Sequence, residues 1–366
     1  MRAPSARHTP KNRIPLSASS PGTIALFGSG ETSLTGARVF EALAQSLSAP
    51  LDLTFVETPA GFELNSAEVV GRVARFARSR LSNYHPVVTI VAARRRGTPF
   101  SPDDAQVAAP LLHSNLIFLG PGSPTYAVRQ LQGSLAWHIM LARHRLGAAL
   151  ALASAAAIAA GAFALPVYEI YKAGEDPNWK PGLDLLAPFG LRLVFIPHWD
   201  NSEGGPGLDT SRCFIGWERF RDMADVLPRD VRVVGVDEHT ALLIEPASRS
   251  CRIIGSGGVT IQFGAEECRF ESGSSFEIAR LGAFRLPKAS EGIPHEVWDM
   301  AQGQSLDAQS AGTPNAHVME LVEQRVCARA RKDWALADQL RAQIATLGWV
   351  VQDTAEGTRL EPVSKA

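Results

Sequence analysis

Apolar and polar positions follow two successive patterns along the chain. From about residue 23 to 197, short runs that are apolar nearly throughout alternate with longer amphipathic stretches. The apolar runs fall at residues 23–28, 51–57, 87–92, 115–120, 148–153 and 191–197. Stretches with a helical repeat lie between them at 35–47, 66–81 and 102–113. A strand that is apolar on both alternations is a strand covered on both faces. Alternating strands and helices of this kind predict a mostly parallel sheet flanked by helices, a three-layer α/β/α architecture. After Val231 the pattern shortens. Runs at 231–236, 240–245, 251–254, 259–263 and 267–270, separated by turn residues, predict an antiparallel extension on one edge of the same sheet. A hydrophilic stretch over 286–314 without clear periodicity predicts a linker. The last fifty or so residues predict a small helical appendage with helices at 319–332 and 334–347. The predicted organisation is a disordered leader (1–22), an α/β domain (23–285), a linker (286–313) and a helical domain (314–366).

Composition narrows the function classes. The 366 residues carry a net charge of −1, which gives no reason to expect nucleic acid or an anionic membrane surface as a general partner. Cys213, Cys251, Cys268 and Cys327 are scattered, so neither a zinc ribbon nor a disulfide framework is expected, and a reducing cytoplasm is the default compartment. The leader lacks the apolar segment of a secretory signal.

The most unusual stretch runs from Leu146 to Val167, where Ser154 is the only polar side chain and no residue is charged. Its length matches a membrane helix, but its alanines provide little insertion energy. A strand that turns sharply into a helix needs small residues at the bend, and a serine at that bend is pushed out of the sheet as a nucleophile would be. A buried, inert serine is the alternative reading. Two further segments end strands where open α/β sheets place their sites. Gly120-Pro121-Gly122-Ser123-Pro124-Thr125 exposes backbone N–H groups toward the crevice, and Pro197-His198 supplies a candidate base.

These blocks, with Ala153-Ser154-Ala155-Ala156-Ala157 and Val236-Asp237-Glu238-His239-Thr240-Ala241, occur in the order found in the dipeptidase E and cyanophycinase family of serine peptidases. The chain resembles that family over about residues 23–280. The resemblance implies a class I glutamine amidotransferase-like fold. It also implies cleavage of peptide or isopeptide bonds next to aspartyl residues, with no metal and no organic cofactor. Carried onto this sequence, it makes Ser154 the nucleophile, His198 the base, and the backbone of Gly122 and Ala155 the oxyanion hole. Glu169 is the expected acid because it follows the elbow helix, with Glu175 as the alternative. The family's elbow glycine is Ala156 here, tolerable only in an ordinary helical conformation. Arg212, in an insertion-like segment after His198, is the expected ligand of a substrate carboxylate. Asp237-Glu238-His239 invites a metal reading, but neighbouring strand residues point to opposite faces. Gly28-Ser29-Gly30-Glu31-Thr32-Ser33 lacks the ending of a phosphate loop and reads as a tight turn.

The segment from Arg325 through Trp334-Ala335-Leu336-Ala337-Asp338 to Thr358 resembles the C-terminal end of bacterial cysteinyl-tRNA synthetases, two helices followed by a short hairpin. The nucleotide-binding signatures and zinc ligands of such an enzyme are missing. Between Glu320 and Glu361, Arg325, Arg329, Arg331, Lys332, Arg341 and Arg359 face Glu320, Glu323, Asp333, Asp338, Asp353, Glu356 and Glu361. That balance is a poor footprint for RNA. The expected partners are therefore a small peptide or isopeptide and a second copy of the chain. RNA contact through the tail is the less favoured expectation.

Overall fold

The computed structural model describes residues 20–311, 316–331, 333–346, 349–354 and 357–362. The expected leader lies outside the described residues up to residue 19, as do residues 312–315 of the expected linker. The chain divides into two compact units, Met1–Trp298 and Asp299–Ala366.

The first unit begins with β1 (Ile24–Phe27), α1 (Leu34–Ser46), β2 (Asp52–Val56), α2 (Ser66–Arg80), β3 (Val87–Val91) and the short α3 (Ala105–Ala108). It continues with β4 (Leu116–Leu119), α4 (Pro124–Leu131), α5 (Leu135–Arg145), β5 (Ala149–Ala153) and α6 (Ala155–Ala159). Next come β6 (Phe163–Ala164), α7 (Val167–Tyr171), β7 (Lys180–Pro181), β8 (Leu193–Ile196) and α8 (Trp217–Asp225). Six strands follow: β9 (Arg232–Val236), β10 (Thr240–Glu245), β11 (Ser250–Gly255), β12 (Gly258–Phe263), β13 (Glu266–Glu271) and β14 (Ser275–Glu277).

The main sheet has the order β14-β11-β10-β1-β5-β4-β2-β3. The segment β1-β5-β4-β2-β3 is parallel, and β10, β11 and β14 extend it with antiparallel pairings. On one face, Phe27, Phe55, Phe118 and the alanines of β5 pack against Val39, Phe40 and Leu43 of α1 and Val70, Val73 and Ala77 of α2. Ring centroids 5.4–6.1 Å apart link Phe27, Phe40, Phe118 and Phe55 in a chain through this layer. The opposite alternation (Ile24, Leu26, Val56, Ile117, Leu119, Leu150, Leu152) is buried as well. Burial of both faces accounts for the unbroken apolar runs.

Four strands depart from expectation. β8, β9, β12 and β13, all expected in the main sheet or its antiparallel extension, form a separate four-stranded sheet of order β13-β12-β9-β8. The open edge of β1 is already occupied by β10, in the register Ile24↔Ile244 to Phe27↔Ala241, so β8 pairs in parallel with β9 instead. The chain therefore changes sheets between β9 and β10, at Asp237-Glu238-His239. Gly28 permits this crossing, since a Cβ there would stand 2.0 Å from the Asp237 carbonyl oxygen. A second departure is α9 (His295–Ala311), a helix within the stretch expected to be a linker. Its weak periodicity hid it, yet it contains no proline and buries Val297 and Ala301.

The second unit contains α10 (Ala316–Ala330), α11 (Trp334–Thr346) and an antiparallel hairpin of β15 (Trp349–Thr354) and β16 (Gly357–Pro362). Val318, Leu321, Val322, Leu340, Ile344, Trp349 and Val351 form its core. The buried Arg325 donates in a bidentate fork to Asp353, at 2.9 and 2.8 Å, and Arg329 meets the same carboxylate at 2.8 Å. Among the described residues, no helix is long and apolar enough to cross a membrane. The small-residue run of Leu146–Val167 is divided between β5, α6 and β6.

Candidate active site

β5 is entirely buried between β1 and β4, and the chain reverses at its end on Ser154. Ser154 has φ 52° and ψ −112°, a region that side-chain-bearing residues rarely occupy. Three contacts hold it there. Its N–H donates to the Phe27 carbonyl at 3.3 Å, its own carbonyl accepts from the Ile158 N–H at 3.1 Å, and the buried alanines of α6 close over the bend. Alanine suits this position because it is small enough to pack there and is the best intrinsic helix former. Ala156 lies inside α6, so the absent elbow glycine is not needed for the backbone path.

His198 follows β8 and also has a positive φ, 51°. Its Nε2 lies 3.2 Å from Ser154 Oγ, and its Nδ1 lies 2.9 Å from Glu238 Oε1. A carboxylate accepting from Nδ1–H leaves the Nε2 lone pair facing the serine hydroxyl. Glu238 is itself fixed: Asn201 Nδ2 donates to its Oε1 at 2.9 Å, and its backbone N–H donates to Asp200 Oδ1 at 2.7 Å. Partial burial pushes the Glu238 pKa up, but hydrogen bonds from His198 and Asn201 and the nearby His198 and His239 rings outweigh it. The net direction is downward. The imidazole is 18% exposed and the carboxylate 27%, so the pair is sheltered and still reachable.

Ser154 and His198 line a cavity of about 300 Å³ together with Gly122, Ala155, Tyr168, Tyr171, Lys172 and Phe214. The structure thus gathers Ser154, His198, Gly122 and Ala155 in one place. Gly122 has φ +143°, and a Cβ there would stand 2.0 Å from the Pro59 carbonyl oxygen, so the loop tolerates only glycine. Burial pushes the Cys213 thiol up to about 12, with the Glu238 carboxylate adding to the effect, so the site holds it as a neutral thiol.

Two expected residues lie elsewhere. Glu169 accepts from Thr125 Oγ1 and lines a neighbouring cavity of about 390 Å³ with Glu175, Arg129 and Lys180. Glu175 pairs with Lys180 at 3.7 Å. Glu238 holds the place on Nδ1 expected for one of them, because the sheet change at 237–239 returns the chain to the end of β8. Arg212 does not line the serine cavity. Its guanidinium stacks 3.8 Å from the Trp199 ring centroid and 5.1 Å from that of Trp217, and Nη1 donates to the Trp199 carbonyl at 2.9 Å. Lys172, which no motif in the sequence marks, lines the cavity as a cation. Asp237 accepts from Gly258 N–H and Arg269, so Asp237 and Glu238 serve separate partners. Among the described residues, no group of three or more His, Cys, Asp or Glu side chains gathers as a metal site.

Comparison with known proteins separates the two units. A crystal structure of a peptidase from an acI-B1 Actinobacterium aligns over 70% of this chain and 97% of its own, with a TM-score of 0.56 at 20% identity. The chain shares its fold with that peptidase. Residues 314–359 match the family model of the cysteinyl-tRNA ligase anticodon binding domain. The cysteine–tRNA ligase of Lactobacillus delbrueckii subsp. bulgaricus is 50% identical over 66 residues, covering 17% of this chain and 14% of that protein. Cysteine–tRNA ligase 1 of Burkholderia lata is 52% identical over 78 residues, covering 20% and 16%. The chain spans only about one-seventh of the length of these ligases.

Proposed function

We propose that the protein is a serine hydrolase that cleaves a small peptide or isopeptide by acyl transfer through Ser154, His198 and Glu238. The observation that carries this reading is the continuous relay from Ser154 Oγ to His198 Nε2 (3.2 Å) and from His198 Nδ1 to Glu238 Oε1 (2.9 Å). His198 takes the serine proton as Oγ attacks the carbonyl and returns it to the leaving nitrogen as the C–N bond breaks. Glu238 holds the imidazole tautomer and stabilises its charged form. The backbone N–H groups of Gly122 and Ala155 stabilise the oxyanion. Lys172 offers an ammonium to an acidic substrate group, which agrees with the aspartyl preference implied by the family resemblance. The mechanism calls on no metal or organic cofactor.

Ser154→Ala is expected to abolish hydrolysis across an aspartyl and isoaspartyl dipeptide panel without loss of fold. Fluorophosphonate labelling of the wild type should require both Ser154 and His198. An S154A variant as active as wild type ends the proposal. Inertness of the wild type toward both the panel and the probe would favour a non-catalytic binding module on the same scaffold.

For the tail we infer a packing role. Arg325 and Arg329, which lead its basic cluster, are committed to Asp353. A tRNA mobility shift with the full chain at low salt would overturn this, and light scattering tests the expected homodimer.

A further inference from the structure

The segment after His198 holds three consecutive non-glycine residues with left-handed backbone: Arg212 (φ 57°), Cys213 (φ 59°) and Phe214 (φ 67°). A bulky side chain at such a φ is an outlier that persists only where its surroundings hold it. Here they do. Arg212 N–H donates to the Trp199 carbonyl at 3.0 Å, Cys213 N–H to the His198 carbonyl at 3.1 Å, and Phe214 N–H to the Thr210 carbonyl at 2.9 Å. The Arg212 guanidinium, stacked on Trp199 and Trp217, clamps the turn from behind.

This turn delivers one ring into the serine cavity. The Phe214 centroid lies 6.1 Å from that of the His198 imidazole and 5.5 Å from that of Tyr171, and Tyr168 lines the same cavity. The side of the cavity follows from the chemistry. The leaving nitrogen must collect its proton from Nε2, so the departing half of the substrate lies on the imidazole side, where Phe214 stands. We propose that Phe214, Tyr171 and Tyr168 form an apolar subsite for the side chain of the leaving amine, so that the substrates are short peptides with a large apolar residue after the scissile bond. This rests on the hydrolase reading above. In the step itself, the Ser154 Oγ–carbonyl bond forms and the C–N bond breaks. The serine proton passes through His198 to the amine, whose side chain stays against the Phe214 ring until release.

The test separates binding from turnover. Wild type and S154A are titrated by calorimetry with phenylalaninamide and with glycinamide, which stand for the departing half. Phenylalaninamide should bind about tenfold more tightly or better, in line with what an apolar pocket discriminates. Phe214→Leu should keep that preference, and Phe214→Ala should reduce it to about threefold or less. Tyr171→Ala removes a half-exposed ring outside the strained turn, and it carries the test alone if F214A does not fold. The same ranking should appear in kcat/KM for Asp-Phe over Asp-Gly. Equal binding of the two amides by wild type, or an unchanged preference in both F214A and Y171A, overturns the subsite. A preserved amide preference without turnover sinks the hydrolase reading and leaves the subsite standing.

Discussion

Replacing Glu238 with Gln tests the relay where sequence and structure disagree. The substitution keeps the side chain's volume and an oxygen able to accept from His198 Nδ1 at the present 2.9 Å, but removes the charge. On the proposed mechanism, what is lost is the stabilisation of the imidazolium that forms during attack. Two unit charges about 4 Å apart at an effective dielectric of about 20 interact by about 4 kcal/mol. The carboxylate is 27% exposed and the imidazole 18%, and that solvent access weakens the interaction to between about 2 and 4 kcal/mol. At about 1.4 kcal/mol per tenfold, E238Q should lose between about thirtyfold and a thousandfold in kcat/KM. The loss should fall mostly on kcat, with fluorophosphonate labelling slowed in step. Glu169→Gln provides the control. Glu169 bonds Thr125 in the neighbouring cavity, so E169Q should stay within about fivefold of wild type, a ceiling set by indirect effects on the Gly122 loop. Steady-state hydrolysis of Asp-Leu by both variants, with thermal melts confirming their folds, decides the matter. The reasoning is refuted if E238Q stays within about threefold of wild type, or if E169Q falls as far as E238Q.

Two other predictions address the loop and the core. Gly122→Ala puts a methyl where the Pro59 carbonyl oxygen would stand 2.0 Å away, which displaces the loop proposed to supply an oxyanion-hole N–H; kcat should fall by about a hundredfold or more with a smaller change in KM, and wild-type kcat would refute the assigned role. The His144 imidazole should make stability depend on pH. Burial, with Arg145 adding to it, pushes its pKa down to about 3 although the Gly22 carbonyl accepts from its Nε2. The folded protein therefore holds His144 neutral while the unfolded chain protonates it. Stability is complete above about pH 6.5 and falls as pH drops toward about 3, with a slope approaching about 1.4 kcal/mol per pH unit. Urea unfolding across that range should show the slope flattened in His144→Gln, and an unchanged slope would refute the assignment.

The sequence made one half of the relay legible and hid the other for a topological reason. Ser154 and His198 each end an apolar run beside small or turn-forming residues, and both local signals survive in the structure. Glu238 carries no such signal. It stands between two other ionisable residues, and its partner is set by a change of sheet between β9 and β10 that depends on which strand occupies the edge of β1. Periodicity reports how many faces of a strand are buried, not which neighbour it pairs with, and for the same reason it does not separate β8, β9, β12 and β13 into a second sheet. Arg212 misled because an arginine in a loop near a base suits a substrate ligand, whereas two tryptophans, Trp199 and Trp217, claim it. The tail was legible throughout, since its helices and hairpin depend on contacts close in sequence.

Backbone strain gives a reading of the site that is independent of side-chain chemistry. Of the nine non-glycine residues with positive φ among the described residues, Ser154, His198, Arg212, Cys213, Phe214 and His239 surround the relay. Each such conformation costs of order 1–3 kcal/mol, so the concentration is a cost carried around the Ser154-His198-Glu238 hydrogen-bonded chain. A comparison of two inactive variants isolates that cost at Ser154. Ser154→Ala and Ser154→Gly both remove the hydroxyl, but alanine keeps the strain of φ 52° and ψ −112° while glycine relieves it. Glycine gives back about 0.5–1 kcal/mol through the greater freedom of its unfolded chain. The net expectation is that S154G is more stable than S154A by about 1 kcal/mol, a difference of roughly 2 °C in Tm for a unit of this size. Calorimetric melts of the two variants measure it directly. If S154G melts below S154A, the elbow is not strained and the serine is held by packing alone.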